Sequence, residues 1–193
     1  YTSVKQNNFI YSGAIGLVKN PSKDIKVAFN VATAFRVPNV DDLSKIFESA
    51  PGTLIVPNED IKPEKSVTAD LSITFWKGKR FQFENVFYIT KLYDAIQTDA
   101  FTFKGQSTLQ YEGETSVILA NQNQGIGHLA GYSSVLKAYL TKSIFFEGTF
   151  NFTHGRLHNN SGVFPLDHIA PINGKIGLNY ESKKVTVELY MLY

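Results

Sequence analysis

Hydrophobic and polar residues alternate with a period of two along much of the chain, which is the signature of strands with one greasy and one wet face. From 25 to 36, Ile25, Val27, Phe29, Val31 and Phe35 share one face, while Lys26, Asn30 and Arg36 share the other with the small Ala28, Ala32 and Ala34. Val67, Ala69, Leu71, Ile73 and Phe75 are set against Thr68, Asp70, Ser72 and Thr74, and Phe146, Phe150 and Phe152 against Glu147, Thr149, Asn151 and Thr153. Near the end, Ile172, Ile176, Leu178 and Tyr180, then Val185, Val187, Leu189, Met191 and Tyr193, continue the pattern. Eight strands are predicted, at 8–18, 25–36, 65–76, 81–92, 126–140, 144–155, 169–180 and 185–193. The fifth alternates least well, and Gly125, Gly127 and Gly131 point there to bulges or close backbone approach.

The predicted connections alternate between short and long. Segments 19–24, 77–80, 141–143 and 181–184 are short, rich in turn formers, and each contains lysine. Segments 37–64, about 93–124 and 155–168 are long, and in an up-and-down sheet all three emerge at the other end. Membrane barrels have this asymmetry, with short periplasmic turns and longer extracellular loops. In the first long segment Val40, Leu43, Ile46 and Phe47 fall at helical spacing behind Asn39, a capping residue, so a short helix over the barrel mouth is expected.

Composition narrows the choice further. Aromatic residues make up 13% and charged residues only 19%, which favours an all-β chain over a helical bundle. The net charge is +2 and no basic block with interleaved aromatics occurs, so a nucleic-acid partner has no support. The absence of cysteine removes disulfides, thiolate metal sites and cysteine nucleophiles. No apolar run approaches the ~20 residues of a membrane helix, whereas a β-strand crosses in about 9 to 11. Alternation alone leaves a soluble ligand-binding β-barrel and a complete eight-stranded outer-membrane barrel with a structural or adhesive role as open alternatives.

Two motifs carry a more specific signal. Phe35-Arg36-Val37-Pro38-Asn39-Val40-Asp41-Asp42-Leu43 resembles a signature of TonB-dependent outer-membrane receptors, in which a strand ends in a Phe-Arg-small-Pro element and enters an extracellular loop. Val56-Pro57-Asn58-Glu59-Asp60-Ile61-Lys62-Pro63-Glu64-Lys65-Ser66 is similar to the family's Asn-Pro-Asn-Leu-Lys-Pro-Glu stretch before the next strand. Gly131-Tyr132 and the 168–174 segment also resemble later strands of that barrel. The resemblance implies an all-β, antiparallel up-and-down transmembrane barrel of 22 strands, of which residues 1–193 supply about eight. It further implies residence in the bacterial outer membrane and contact with its lipid. An extracellular small-molecule ligand such as an iron chelate or haem is implied too, together with coupling to TonB through a plug domain outside this segment.

Catalytic signatures are absent: there is no Gly-rich phosphate loop, no His-Glu-x-x-His and no Gly-x-Ser-x-Gly, so no enzyme activity, resident metal or cofactor is expected. The candidate ligand-binding residues lie at the rim. Arg36, on the expected lumen face where its strand ends, suits an anionic ligand, or more simply an ion pair with a neighbouring strand or loop. His154 lies at the end of the sixth strand and Arg156 and His158 in the long segment just after it, with His128 and His168 nearby. Neutral imidazoles ligate haem iron, but the haem-receptor subgroup usually places a histidine between the two motifs, and positions 39–56 contain none.

Overall fold

The computed structural model describes residues 8–159, 161–167 and 169–193. Two sheets account for nearly all of its regular structure. The wall is an antiparallel sheet of long strands: β1 (Gly13–Ser22), β2 (Ile25–Arg36), β5 (Glu64–Lys77), β6 (Phe81–Tyr93), β10 (Ile126–Tyr139), β11 (Ile144–Asn159), β13 (Asn173–Glu181) and β14 (Thr186–Leu192), in that spatial order. A short strand, β12 (Gly162–Pro165), folds back on β11. All eight strands expected from alternation are present. β1 and β14 form the two edges, and no pairing between them closes the sheet among the described residues.

Register shows why one face is greasy along the whole wall. Leu17, Phe29, Leu71, Phe87, Tyr132 and Phe152 are successive cross-strand partners from β1 to β11, and Phe83, Leu136, Gly148, Ile176 and Met191 form a second row. Many of these large apolar side chains are exposed, Phe87 and Met191 among them. No Asp or Glu occupies this face of any paired wall strand; the wall carboxylates Glu64, Asp70, Glu84, Glu147, Glu181 and Glu188 all take the opposite parity. A sheet whose apolar face is this exposed and which keeps every carboxylate on the other is built for an apolar solvent on one side.

The polar face is stitched sideways by side-chain hydrogen bonds. Asn30 Nδ2 donates to Asp70 Oδ2 at 3.1 Å, and the hydroxyls of Thr68 and Thr90 are 2.8 Å apart. Tyr88 reaches across β10 to the hydroxyl of Thr153 at 2.5 Å. Its ring lies over Gly131, where any Cβ would collide with it, so the glycine is a site of close approach. Ser133 Oγ donates to Asn151 Oδ1 at 2.8 Å, Asn151 Nδ2 to Asn173 Oδ1 at 3.3 Å, and Lys175 pairs with Glu188. From β2 to β14, polar groups thus bridge every strand of the wall.

The second sheet was not expected. Segments 37–64 and 93–124 are not irregular loops but contribute α1 (Val40–Ser44), β3 (Phe47–Ala50), β4 (Thr53–Ile55), β7 (Ile96–Ala100), β8 (Thr108–Tyr111) and β9 (Glu114–Asn123). The five strands pair in the order β3-β4-β9-β7, with β8 also on β9. β4 and β9 run parallel, joining the two long segments across the β5-β6 hairpin. Buried Leu54, Val56, Ile118 and Ala120 form its core, with Phe101, Phe103, Leu109 and Tyr111 packed against them. Most of the chain's fully buried apolar volume is therefore in the loops and not in the wall. Ser116 is also fully buried there, and its Oγ has no hydrogen-bond partner among the described residues. Ser116→Ala removes that orphan and is expected to stabilise this sheet by about 1 kcal/mol, read as slower proteolysis between β7 and β9.

Element boundaries differ in four places. β1 starts at Gly13 instead of residue 8 and runs through Pro21 to a two-residue turn, Lys23-Asp24. Pro21 is tolerated because the register shifts between Lys19 and Ser22, so its missing N–H interrupts no regular ladder. β11 continues to Asn159, four residues beyond the expected end. β13 starts only at Asn173; Pro171 lacks a donor, and its carbonyl accepts from Asn173 Nδ2 at 2.9 Å. The helix is shorter than its apolar spacing suggested, because Phe47 opens β3.

Candidate functional site at the loop end of the wall

Both sequence motifs converge where the polar face meets the loop sheet. Arg36 closes β2, and its register partner Glu64 opens β5. Arg36 Nε lies 3.7 Å from Glu64 Oε1, and the other carboxylate oxygen accepts the backbone N–H of Ile96 at 2.9 Å. One carboxylate therefore ties β5 to the first residue of β7. The Arg36 side chain is 53% exposed, so the pair adds at most about 1 kcal/mol. Its worth is positional: it aims a guanidinium along the sheet surface without enclosing it.

The loops are held by a second polar node. Asn39 and Asp42 cap α1 reciprocally, Asn39 N donating to Asp42 Oδ2 at 2.9 Å and Asp42 N to Asn39 Oδ1 at 2.8 Å. Asp42 Oδ1 accepts from Asn121 Nδ2 at 2.6 Å, and Asn58 N donates to Asp42 O at 3.0 Å. Asn58 Nδ2 in turn donates to Asn121 O at 2.8 Å. Asn39 and Asp42 come from the first motif and Asn58 from the second, so their spacing matches a contact between the motifs on β9. Further along, Lys62 N donates to Asn123 Oδ1 at 2.7 Å and Asn123 Nδ2 to Lys62 O at 2.9 Å. Asp99 accepts from Gln124 Nε2 at 2.8 Å and from the N–H of Ala100 at 2.7 Å, which holds its carboxyl below the usual carboxylate range despite the opposing effect of burial. The sign follows: Asp99 contributes stability above the ordinary carboxylate titration, and that contribution is lost as pH falls through its lowered value.

Between wall and loop sheet lies an open cavity of about 490 Å³, lined by Arg36, Glu64, Leu92, Gln97, Thr98 and Asn121, with Leu166 and Asp167 at its side. One cation, two carboxylates and several amide and hydroxyl groups face it, a set that binds a polar solute by hydrogen bonds and charge. Of these, Arg36 was anticipated and Glu64 lay inside the second motif. Gln97, Thr98 and Asn121 carried no signal, because they reach the site only through the pairing of β7 with β9.

The other candidates are elsewhere. His154, Arg156 and His158 lie on β11 at the parity of Phe152, on the apolar face. His128 is the register partner of both Lys91 and Arg156, and its ring meets that of His158 edge-on at 5.2 Å between centroids. The structure thus gathers His128, His154, Arg156 and His158 but separates them from Arg36 by the thickness of the sheet. His168 lies outside the described residues. Among the described residues no group of three or more His, Asp or Glu side chains is arranged to hold a metal ion.

Comparison with known proteins agrees with this architecture. The family profile "TonB dependent receptor-like, beta-barrel" matches residues 1–188. A Haemophilus influenzae relative, "Probable hemoglobin and hemoglobin-haptoglobin-binding protein 4", is 25% identical over 183 residues, covering 90% of this chain and 18% of the relative. Among solved structures, "Copper transporter OprC" superposes with a TM-score of 0.70 at 20% identity over 94% of this chain and 25% of its own. The siderophore receptor PirA from Acinetobacter baumannii gives 0.69 at 18% identity over 94% of this chain and 28% of its own. The chain thus spans about a fifth of the length of the curated relative and about a quarter of the solved receptors. The chain belongs to the TonB-dependent receptor family and forms part of the family's outer-membrane β-barrel.

Proposed function

We propose that this segment is a sector of the barrel wall, with its extracellular cap, in a receptor that takes up a scarce iron-bearing solute, haem or an iron chelate, across the outer membrane. The observation that carries the reading is the cavity between cap and polar face, floored by the Arg36–Glu64 pair. On this reading the polar face lines the lumen, the loop sheet narrows its mouth, and Arg36 presents charge to an anionic group on the ligand. Propionates of haem and the anionic ligand oxygens of ferric chelates both fit. Haem-bearing ligands are favoured over siderophores, since the relative that aligns over 90% of this chain is described as binding haemoglobin. The chemical work of uptake is assigned to a plug domain coupled to TonB, outside these residues.

Growth under iron limitation tests the proposal. With haemoglobin, free haem or a ferric siderophore as sole iron source, deleting the intact receptor is expected to abolish growth on one of them, as is deleting TonB. Arg36→Ala in the intact receptor is expected to weaken binding of that ligand about tenfold. Unchanged growth of the deletion strain on all three sources would overturn the reading.

A further inference from the structure

A second cavity, about 610 Å³, opens on the other side of the wall, and its chemistry does not suit the transported solute. Lys91 on β6, His128 on β10 and Arg156 on β11 are register partners, so three basic side chains stand in one row across adjacent strands, within ~10 Å at the usual strand spacing. His154 and His158 flank Arg156 at the same parity, one step nearer to and one step farther from the middle of the wall. Below the row, Ala69 and Ala130 stand on either side of Ile89, and these two small residues leave the hollow. A cationic rim above a narrow apolar hollow is the shape of an amphiphile site.

Height in the membrane fixes the partner. On β6 the outward positions from Phe81 to Ile89 cover eight residue steps, ~27 Å along the strand and ~21 Å across the membrane at a tilt of ~40°. Lys91 is the next outward residue, so the row stands where the hydrocarbon band ends, on the side of the long loops. Neither Lys91 nor Arg156 pairs with a carboxylate among the described residues, and the apolar face of these strands holds no Asp or Glu to neutralise them. Lys91 lies 5.0 Å over the Tyr93 ring, and among the described residues Arg156 donates only to the carbonyl of Gly155, at 3.4 Å. Basic groups set side by side against hydrocarbon call for an anion that arrives with its own acyl chains.

We propose that the Lys91–His128–Arg156 row and the hollow beneath it bind a phosphorylated, acylated saccharide lipid of the outer leaflet, phosphate on the cations and one acyl chain along Ala69, Ile89 and Ala130. The site is independent of which solute the receptor carries, and it gives the outward-facing histidines a role that lumenal haem ligation does not. Native mass spectrometry of the intact, delipidated receptor tests it, with bisphosphorylated lipid A, its dephosphorylated counterpart and inorganic phosphate as probes. Lipid A is expected to bind the wild type about a hundredfold more tightly than a K91Q/R156Q variant, about tenfold for each cation, while Lys137→Gln, a cation of the polar face, leaves binding unchanged. Heat-dependent gel migration reports the folded barrel, and the single variants carry the same comparison where the double variant fails to fold. Equal retention by the variants, equal binding of dephosphorylated lipid, or full displacement by inorganic phosphate would each overturn the proposal. A haem Soret shift abolished by His154→Ala and His158→Ala would also overturn it by assigning the hollow to haem.

Discussion

Leu54→Ala is expected to unfold the loop sheet and leave the barrel wall standing. Leu54 is fully inaccessible and belongs to a core of four buried residues, so little surrounding mass is available to collapse into the space it vacates. Leucine-to-alanine changes in such settings cost about 3 to 5 kcal/mol, a large share of what so small a sheet can hold. The wall does not share this core. Its contact with the sheet runs through a few polar bonds, chiefly Glu64 to Ile96 and, where the two meet, the exchange between Ala95 and the Gln124-Gly125 backbone. Limited proteolysis of the intact receptor should therefore show rapid cleavage between 97 and 118 in the variant, while heat-dependent gel migration of the barrel stays the same. Ligand affinity should fall with the cap, because Gln97, Thr98 and Asn121 line the cavity from the sheet side. Simultaneous loss of wall and sheet would mean that the two fold as one cooperative unit.

Gly125→Ala is the most damaging small change expected in the wall itself. The residue joins β9 to β10 with φ of +75°, a conformation that L side chains rarely adopt, and a Cβ there would strike the backbone carbonyl of His158 on β11. A backbone atom held in a ladder cannot step aside as a side chain tip can. The variant must open the end of the β10–β11 pairing, where Ile126 meets His158, at roughly 3 kcal/mol or more. Gly52→Ala separates the two causes: its φ is +73° but open space surrounds it, so only the conformational cost of about 1 kcal/mol applies. Hydrogen exchange of segments 126–131 and 154–159 should accelerate strongly in the Gly125 variant, with no comparable change near residue 52 in the other. Equal effects in the two variants would show that contact with β11 is unimportant.

The wall was legible because its solvent imposes a rule at every second residue. Lipid on one side and water on the other leave no freedom in strands such as 65–76 or 144–155, and the same rule oriented Arg36 toward the lumen. The loop sheet obeys no such rule. Leu54-Ile55-Val56 and Val117-Ile118-Leu119-Ala120 are short apolar runs that mark buried strands, but β4 finds β9 across more than sixty residues, and nothing local encodes that partnership. The facing of the histidines was not legible for a narrower reason. With the sixth strand stopped at 155, Arg156 and His158 read as loop residues free to turn toward a ligand. Continued to Asn159, the strand keeps the alternation of Phe150 and Phe152 and sends all three basic residues outward. The two motifs named the family yet did not disclose what they hold together, because Asp42, Asn58 and Asn121 become neighbours only after folding.

The parallel pairing of β4 with β9 also orders events in time. β4 precedes the β5-β6 hairpin and β9 follows it, so their ladder forms only once that hairpin has brought residues 55 and 119 to the same height. Closing so long a loop is slow, and the entropic cost is met before any contact rewards it. During export, segments 37–64 and 93–124 are therefore expected to cross the membrane plane as open chain and to assemble last. For that interval Leu54, Val56 and Ile118 would be exposed outside the cell, and the final step of maturation would be a soluble folding reaction on a finished membrane wall.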